Sequence, residues 1–155
     1  MRTRGENAFT LIEIIIVIAI MFLLVVGLTA AFTSFTKGNA LSGTAANALS
    51  LLEKARSQTL ASIGDTQYGV HFDASSMTLF AGSYNQNGAG NVVFPYDSRV
   101  TMSNISLSGA GSEVTFKRLA GTTDQSGTIT FSLPKSPTVP AKVITVSNSG
   151  LVELQ

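Results

Sequence analysis

The sequence predicts an α+β fold in which a long N-terminal helix packs on one or more antiparallel β-sheets. Three observations lead to this fold class. An apolar run without charge extends from Ile14 to Thr36. Apolar residues then recur every three or four positions as far as Ile63, as in an amphipathic helix. Beyond Gly64 the apolar period changes to two, which is typical of strands.

The uncharged run is long enough to cross a membrane. About 20 apolar residues span a hydrocarbon core roughly 30 Å thick, and this run has about 23. Arg2 and Arg4 precede it, whereas Lys37 stands alone just after it. Because short basic flanks stay in the cytoplasm, we predict a single pass with the N-terminus cytoplasmic and the C-terminal domain extracytoplasmic.

The second half of the helix (37–63) is predicted to bury one stripe. The apolar members of the stripe are Leu41, Ala45, Ala48, Leu49, Leu52, Ala55, Leu60 and Ile63. The residues predicted to face water are Glu53, Lys54, Arg56 and Gln58. No proline precedes Ile63, so both halves are expected to form one helix of about 50 residues, roughly 75 to 80 Å long, that stops at Gly64 and Asp65.

The remaining segment (64–155) is predicted to be a β-rich domain. The predicted strands are 67–72, 77–82, 92–94, 99–107, 112–119 and 127–133, with two more within 142–154. Turn residues separate them, beginning with Asp73 to Ser76. Gly150 suits the left-handed position of a tight closing hairpin.

Composition excludes several kinds of site. The chain has no cysteine, so neither a disulfide framework nor a thiolate metal site can form. The chain has ten basic and nine acidic residues. Without Arg2, Arg4 and Glu6 of the N-terminal flank, eight residues of each sign remain. A domain this neutral has no strong attraction for nucleic acid, which is not expected as a partner.

Glu13 is an unusual residue because it stands at the start of the apolar run. A carboxylate in a bilayer is costly and usually marks a functional site with a partner. It lies only about one helical turn inside the apolar boundary, so a carboxylate that reaches the headgroup level is the alternative interpretation.

The five adjacent residues from Phe9 to Glu13, FTLIE, resemble the class III signal of type IV pilins and pseudopilins. The resemblance implies a leader peptide (1–8) that a prepilin peptidase cuts between Ala8 and Phe9, followed by a spanning helix half (9–36). It implies methylation of the new Phe9 amine, and a role for Glu13 in filament assembly. The implied partners are other pilin or pseudopilin subunits, the prepilin peptidase, an inner-membrane assembly platform, and membrane lipid before assembly.

The rest of the chain is similar to the GspH and FimT group of minor pseudopilins. This similarity rests on LEKARSQTLAS (51–62), GTITF (127–131) and VITVSNSGLVEL (143–154). DNA-binding members have arginines after the closing glycine, where this chain has Leu151 and Glu153, so that activity is not implied. Two further departures are Ala8 in place of glycine before the cut and Ala30 in place of a helix-breaking proline.

Enzymatic chemistry is not predicted. His71, the only histidine, is expected on a strand as a surface or packing residue. GAG (88–90) lacks the context of a phosphate-binding loop, and no serine has nucleophile-elbow spacing. Lys117 and Arg118, expected on one strand, would point to opposite faces.

Cofactors are not expected either. Some pseudopilins bind calcium in a loop near the C-terminus. The candidate loop here, TTDQSG (122–127), offers one carboxylate, Asp124, where calcium needs six to eight oxygens. The triplet that begins at Asn104 fits a glycosylation sequon, a pattern that arises often by chance.

Two other classes of protein remain as alternatives. A secreted binding protein would use Thr29 and Ala31 as the small residues of a conventional cleavage site, with Phe32 as the new N-terminus. A tip-exposed adhesin or DNA receptor would present the polar, glycine-rich loop 83–91 to a ligand, although simple solvation also explains this loop.

Overall fold

The computed structural model describes residues 9–109 and 111–155. In this part of the chain one long helix precedes eight strands, and the predicted α+β class is confirmed. The elements are α1 (Leu11–Leu60), a 3₁₀ turn (Ile63–Asp65), β1 (Tyr68–Phe72), β2 (Ser76–Ala81), β3 (Val92–Pro95), β4 (Thr101–Leu107), β5 (Glu113–Thr115), β6 (Gly127–Ser132), β7 (Lys142–Val146) and β8 (Val152–Leu154).

The strands form two four-stranded sheets, in which every neighbouring pair is antiparallel. The first sheet has the order β3-β2-β1-β5 and the second has the order β4-β6-β7-β8. Sequential hairpins join β1 to β2, β2 to β3, β6 to β7 and β7 to β8. The register between β4 and β6 shifts between Met102 and Asn104, as at a β-bulge.

The chain divides into two compact units at the boundary between Thr36 and Lys37. In the second unit, residues of α1 and of both sheets share one hydrophobic core. Alternate strand residues such as Ile129 and Phe131 of β6 have no exposed surface. Small helix residues such as Ala45, Ala48 and Ala55 are fully buried as well, because alanine lets the helix backbone approach the sheets closely.

The predicted helix stripe is correct in its middle and wrong at its end. Its members from Leu41 to Ala55 are buried or half-buried, but Leu60 and Ile63 are 41% and 49% exposed. Three buried residues were not predicted as members of the stripe: Leu51, Thr44 and Thr59. Both threonines have a polar hydroxyl, so an apolar pattern does not include them. Arg56 and Gln58, predicted to face water, are half-buried; Glu53 and Lys54 are exposed as predicted.

The helix ends three residues earlier than predicted. Ser62 has a positive φ of 49°, a left-handed conformation that stops α1 after Leu60. The N–H groups of Ala61 and Ser62 donate to the carbonyls of Ser57 and Thr59, at 2.9 and 3.1 Å, which satisfies two carbonyls of the last helical turn. Gly64 and Asp65 belong to the separate 3₁₀ turn that follows.

Candidate assembly segment

The first turn of α1 is capped by the residue before it. The backbone N–H of Glu13 donates to the carbonyl of Thr10 at 3.1 Å and to its hydroxyl oxygen at 3.3 Å. Thr10 and Glu13 are spaced as in a capping box, so Thr10 occupies the N-cap position and Glu13 the third helical position. The carboxylate of Glu13 thus belongs to the first helical turn, where the helix dipole favours negative charge.

The rest of the first unit exposes apolar side chains on every side of the helix. The large apolar residues from Leu11 to Leu28, with Phe32 and Phe35, are between 48% and 78% exposed. A helix that is apolar all round is stable when lipid or other helices cover it. Accordingly, α1 is long and apolar enough to cross a membrane.

Three threonine hydroxyls within this apolar surface bind carbonyls of the same helix. The hydroxyl of Thr29 donates to the carbonyl of Val26 at 2.9 Å. The hydroxyl of Thr33 donates to the carbonyl of Thr29 at 2.8 Å, and the hydroxyl of Thr36 donates to the carbonyl of Thr33 at 3.0 Å. In hydrocarbon no water is available to these hydroxyls, so such bonds lower the cost of threonine there.

The predicted processing and assembly residues lie at the N-terminal end of this surface. Ala8, like the whole leader (1–8), lies outside the described residues. Phe9 is 75% exposed and precedes Thr10, the cap. The predicted pairing of Phe9 with Glu13 of a neighbouring subunit remains a prediction.

His71 lies on β1 as predicted, but its surroundings were missed. Its ring stacks on Tyr84 with centroids 3.8 Å apart and planes within 6°. Nε2 lies 3.5 Å from a carboxylate oxygen of Asp73, and Nδ1 lies 3.8 Å from one of Glu113. Glu113 reaches His71 because β5 pairs with β1 across a long stretch of sequence, which no local pattern signals.

The prediction that Lys117 and Arg118 share a strand is wrong, because β5 ends at Thr115. Lys117 pairs with Asp124 at 2.7 Å, and Arg118 pairs with Asp65 at 2.9 Å. The two cations therefore bind separate carboxylates and do not form a joint basic site.

The candidate calcium loop 122–127 has its own hydrogen bonds. The side-chain oxygen of Gln125 accepts from the N–H of Thr115 at 3.2 Å and from the hydroxyl of Thr123 at 3.0 Å. Asp124 is the carboxylate paired with Lys117. Among the described residues, no three histidine, aspartate or glutamate side chains are grouped so as to hold a metal ion.

The glycine-rich loop 83–91 is closed by bonds among its own residues. The side-chain amide of Asn91 donates to the carbonyl of Asn85 at 2.7 Å. The N–H of Asn87 donates to the side-chain oxygen of Asn85 at 3.0 Å. These bonds give the loop a defined shape without a ligand.

Comparison with known proteins gives one match, at the N-terminus. Residues 3–29 match a family described as the prokaryotic N-terminal methylation motif. No curated protein and no solved structure matches the chain.

The matched residues contain FTLIE and more than half of the apolar run. This match supports the pilin and pseudopilin class: the chain carries the type IV pilin-like signal motif, followed by one apolar helix. A prepilin peptidase and pilin-type subunits are the partners that such a motif implies.

Proposed function

We propose that this protein is a structural subunit, of the minor pilin or pseudopilin kind, of a type IV pilus-like or type II secretion filament. The peptidase removes residues 1–8 between Ala8 and Phe9, and the Phe9 amine is methylated. The N-terminal helix holds the subunit in the cytoplasmic membrane, with the β domain extracytoplasmic, until it enters the filament. The role is one of packing, and the cleavage is done by a separate enzyme.

The observation that carries this proposal is the coincidence of the methylation motif with the exposed apolar helix. The motif covers residues 3–29, and the large apolar side chains from Leu11 to Leu28 are all exposed. A surface of this size needs a cover. Lipid supplies it before assembly, and helices of neighbouring subunits supply it in the filament core.

Glu13 has a specific task in this account. A charged side chain at the bilayer centre costs about 2.5 to 3.5 kcal/mol on insertion scales, which is an upper limit for Glu13 because it lies near the apolar boundary. Its place in the first helical turn offsets part of such a cost, because the N-terminal end of the helix dipole is positive. In the filament the amine of a neighbour's Phe9 neutralises the carboxylate, so the charge is paired only in one register between subunits.

The test replaces the Glu13 carboxylate and measures assembly. Glu13→Gln keeps the shape but removes the charge, and we expect filament yield to fall about 10-fold or more, since an unpaired buried amine is left. Glu13→Asp keeps the charge on a shorter side chain and should assemble at an intermediate level. The matched control is Glu53→Gln, which removes an exposed carboxylate elsewhere on α1.

Filament yield is measured as the sheared extracellular fraction relative to the membrane fraction. Leader removal is measured in the same samples. A variant that keeps its leader would fail to assemble for a reason unrelated to the charge of Glu13, and this measurement identifies it. If cleaved Glu13→Gln assembles as well as the unaltered chain, the pairing proposal is wrong.

A further inference from the structure

A cleft of about 560 Å³ lies within the second compact unit. Lys37 of α1 lines it together with residues of the connection between β3 and β4, the first residue of β4 and the segment that follows β6. Its polar lining residues are Lys37, Ser98, Arg99, Thr101, Lys135 and Ser136. None of these residues has a role in the pilin function proposed above.

The charge in the cleft is strongly positive. Three of its lining residues are basic and none is acidic. Asp97, next to the cleft in sequence, accepts bonds of 2.8 Å from Nε and from one terminal nitrogen of Arg99. These bonds lower the pKa of Asp97 to about 2, so its charge offsets that of Arg99. Lys37 and Lys135 supply the remaining two positive charges.

This concentration of charge contrasts with the unit as a whole. Of the ten basic residues, all but Arg2 and Arg4 lie beyond Thr36, which gives eight. Of the nine acidic residues, all but Glu6 and Glu13 lie there, which gives seven. The net charge of the whole segment is therefore +1, whereas the cleft with Asp97 has +2. The other acidic residues beyond Thr36 do not line the cleft.

In the proposed function, the position of Lys37 in the chain puts this residue near the membrane surface. Lys37 is the first charged residue after the uncharged run that ends at Thr36. That run of about 23 residues is roughly 34 Å long as a helix, slightly more than the thickness of a hydrocarbon core. A lysine at this point reaches the level of the lipid headgroups.

We propose that the cleft binds the phosphate of an anionic phospholipid headgroup in the leaflet that faces the β domain. The ammonium groups of Lys37 and Lys135 pair with the phosphate oxygens, and the hydroxyls of Ser98 and Thr101 are available as further donors. The ion pair with Asp97, 2.8 Å from Nε, orients the guanidinium of Arg99. This inference rests on the membrane insertion in the proposed function.

Binding would orient the β domain before assembly. A headgroup held beside Lys37 fixes the domain against the membrane surface, which restricts its rotation about the helix. Release of the lipid then accompanies insertion into the filament, where lipid no longer surrounds the helix.

The test uses the full chain purified in detergent. It is mixed with equal amounts of phosphatidylglycerol and phosphatidylcholine, and bound lipid is counted by native mass spectrometry. We expect phosphatidylglycerol to be preferred, and the double variant Lys37→Gln with Lys135→Gln to lower this preference roughly 5- to 30-fold. The double variant Lys37→Arg with Lys135→Arg keeps both charges and should retain most of the preference for phosphatidylglycerol.

The matched control is Lys54→Gln with Lys142→Gln, which removes two charges outside the cleft. An equal loss in this control, or unchanged preference in the cleft variant, overturns the proposal. Inorganic phosphate is added in a separate arm. If it displaces the lipid at an equal concentration, the site binds free anions and the lipid assignment is wrong. The intact mass in the same spectra shows whether the leader has been removed, so a failure of leader processing is distinguished from a failure of lipid binding.

Discussion

The hydroxyl of Thr59, near the end of α1, accepts a 2.8 Å hydrogen bond from the backbone N–H of Tyr68 at the start of β1. The same hydroxyl donates to the carbonyl of Ala55 at 2.8 Å. Thr59 has no exposed surface, so both bonds are protected from water. One side chain therefore joins the last turn of the helix to the first strand of the sheet.

Removal of this hydroxyl should destabilise the domain. Thr59→Val keeps the shape of the side chain but leaves the N–H of Tyr68 without its acceptor, at a cost of about 1 to 3 kcal/mol in the free energy of unfolding. Denaturant unfolding of the full chain in detergent measures this. Thr59→Ser keeps the hydroxyl and loses a methyl group, so a larger effect of Ser than of Val would contradict the account.

Arg56 should contribute more to stability than its charged neighbour on the helix. Its Nε donates to the carbonyl of Gly121 at 3.1 Å, and a terminal nitrogen lies 3.5 Å from the carbonyl of Ser149. Arg56→Met removes these bonds and should lower the free energy of unfolding by about 1 to 2 kcal/mol. Lys54→Met, at an exposed position, is the control and should change it by less than about 0.5 kcal/mol.

Gly150 should tolerate no side chain. Its φ is +78°, and an added Cβ would overlap the carbonyl oxygen of Gly121. We expect Gly150→Ala to lower the free energy of unfolding by more than about 2 kcal/mol, from backbone strain and overlap together. Gly109→Ala separates the two causes, because Gly109 has a φ of +91° and open space around it. Its cost should be about 1 kcal/mol, and equal costs for both variants would contradict this explanation.

The stability of the domain should fall in strong alkali because of Tyr96. Burial, with a smaller effect of the Asp73 charge, raises the pKa of Tyr96 well above its ordinary value of 10. The folded state therefore keeps the proton at a pH where the unfolded chain releases it. Stability is full below about pH 10 and falls above it, by up to about 1.4 kcal/mol per pH unit. Unfolding measured between pH 9 and 11 should show a steeper fall than in Tyr96→Phe, which has no proton to release; equal slopes would exclude this cause.

Local patterns predict most elements of this fold. The run from Ile14 to Thr36 and the periodic residues that follow predict one helix of about 50 residues, and α1 has 50. Strand alternation predicts β1, β4, β6 and β7 to within two residues at each end. In β6 and β7 the buried residues alternate along the strand, as the pattern requires. The positive φ of Gly150 was also foreseen from its place in a short hairpin.

Non-local contacts account for what could not be predicted. Alternation continues past Thr115, but Lys117 and Arg118 bind Asp124 and Asp65, and Leu119 adopts a positive φ of 63°, so the chain leaves the sheet. The stack of His71 on Tyr84 likewise depends on how the loop after β2 folds back. At the N-terminus the motif predicts Phe9 and Glu13 as functional residues, but the partner proposed for them is another subunit, which the structure of one chain does not contain.

The most direct test of the central claim is the N-terminus of the protein recovered from the membrane of cells that contain an active prepilin peptidase. Intact mass and N-terminal sequencing are measured together, with a known substrate of the same peptidase as the positive control. The account predicts a chain that starts at N-methylated Phe9. A chain that starts at Phe32, or one that retains Met1 while the control substrate is cleaved, would contradict it.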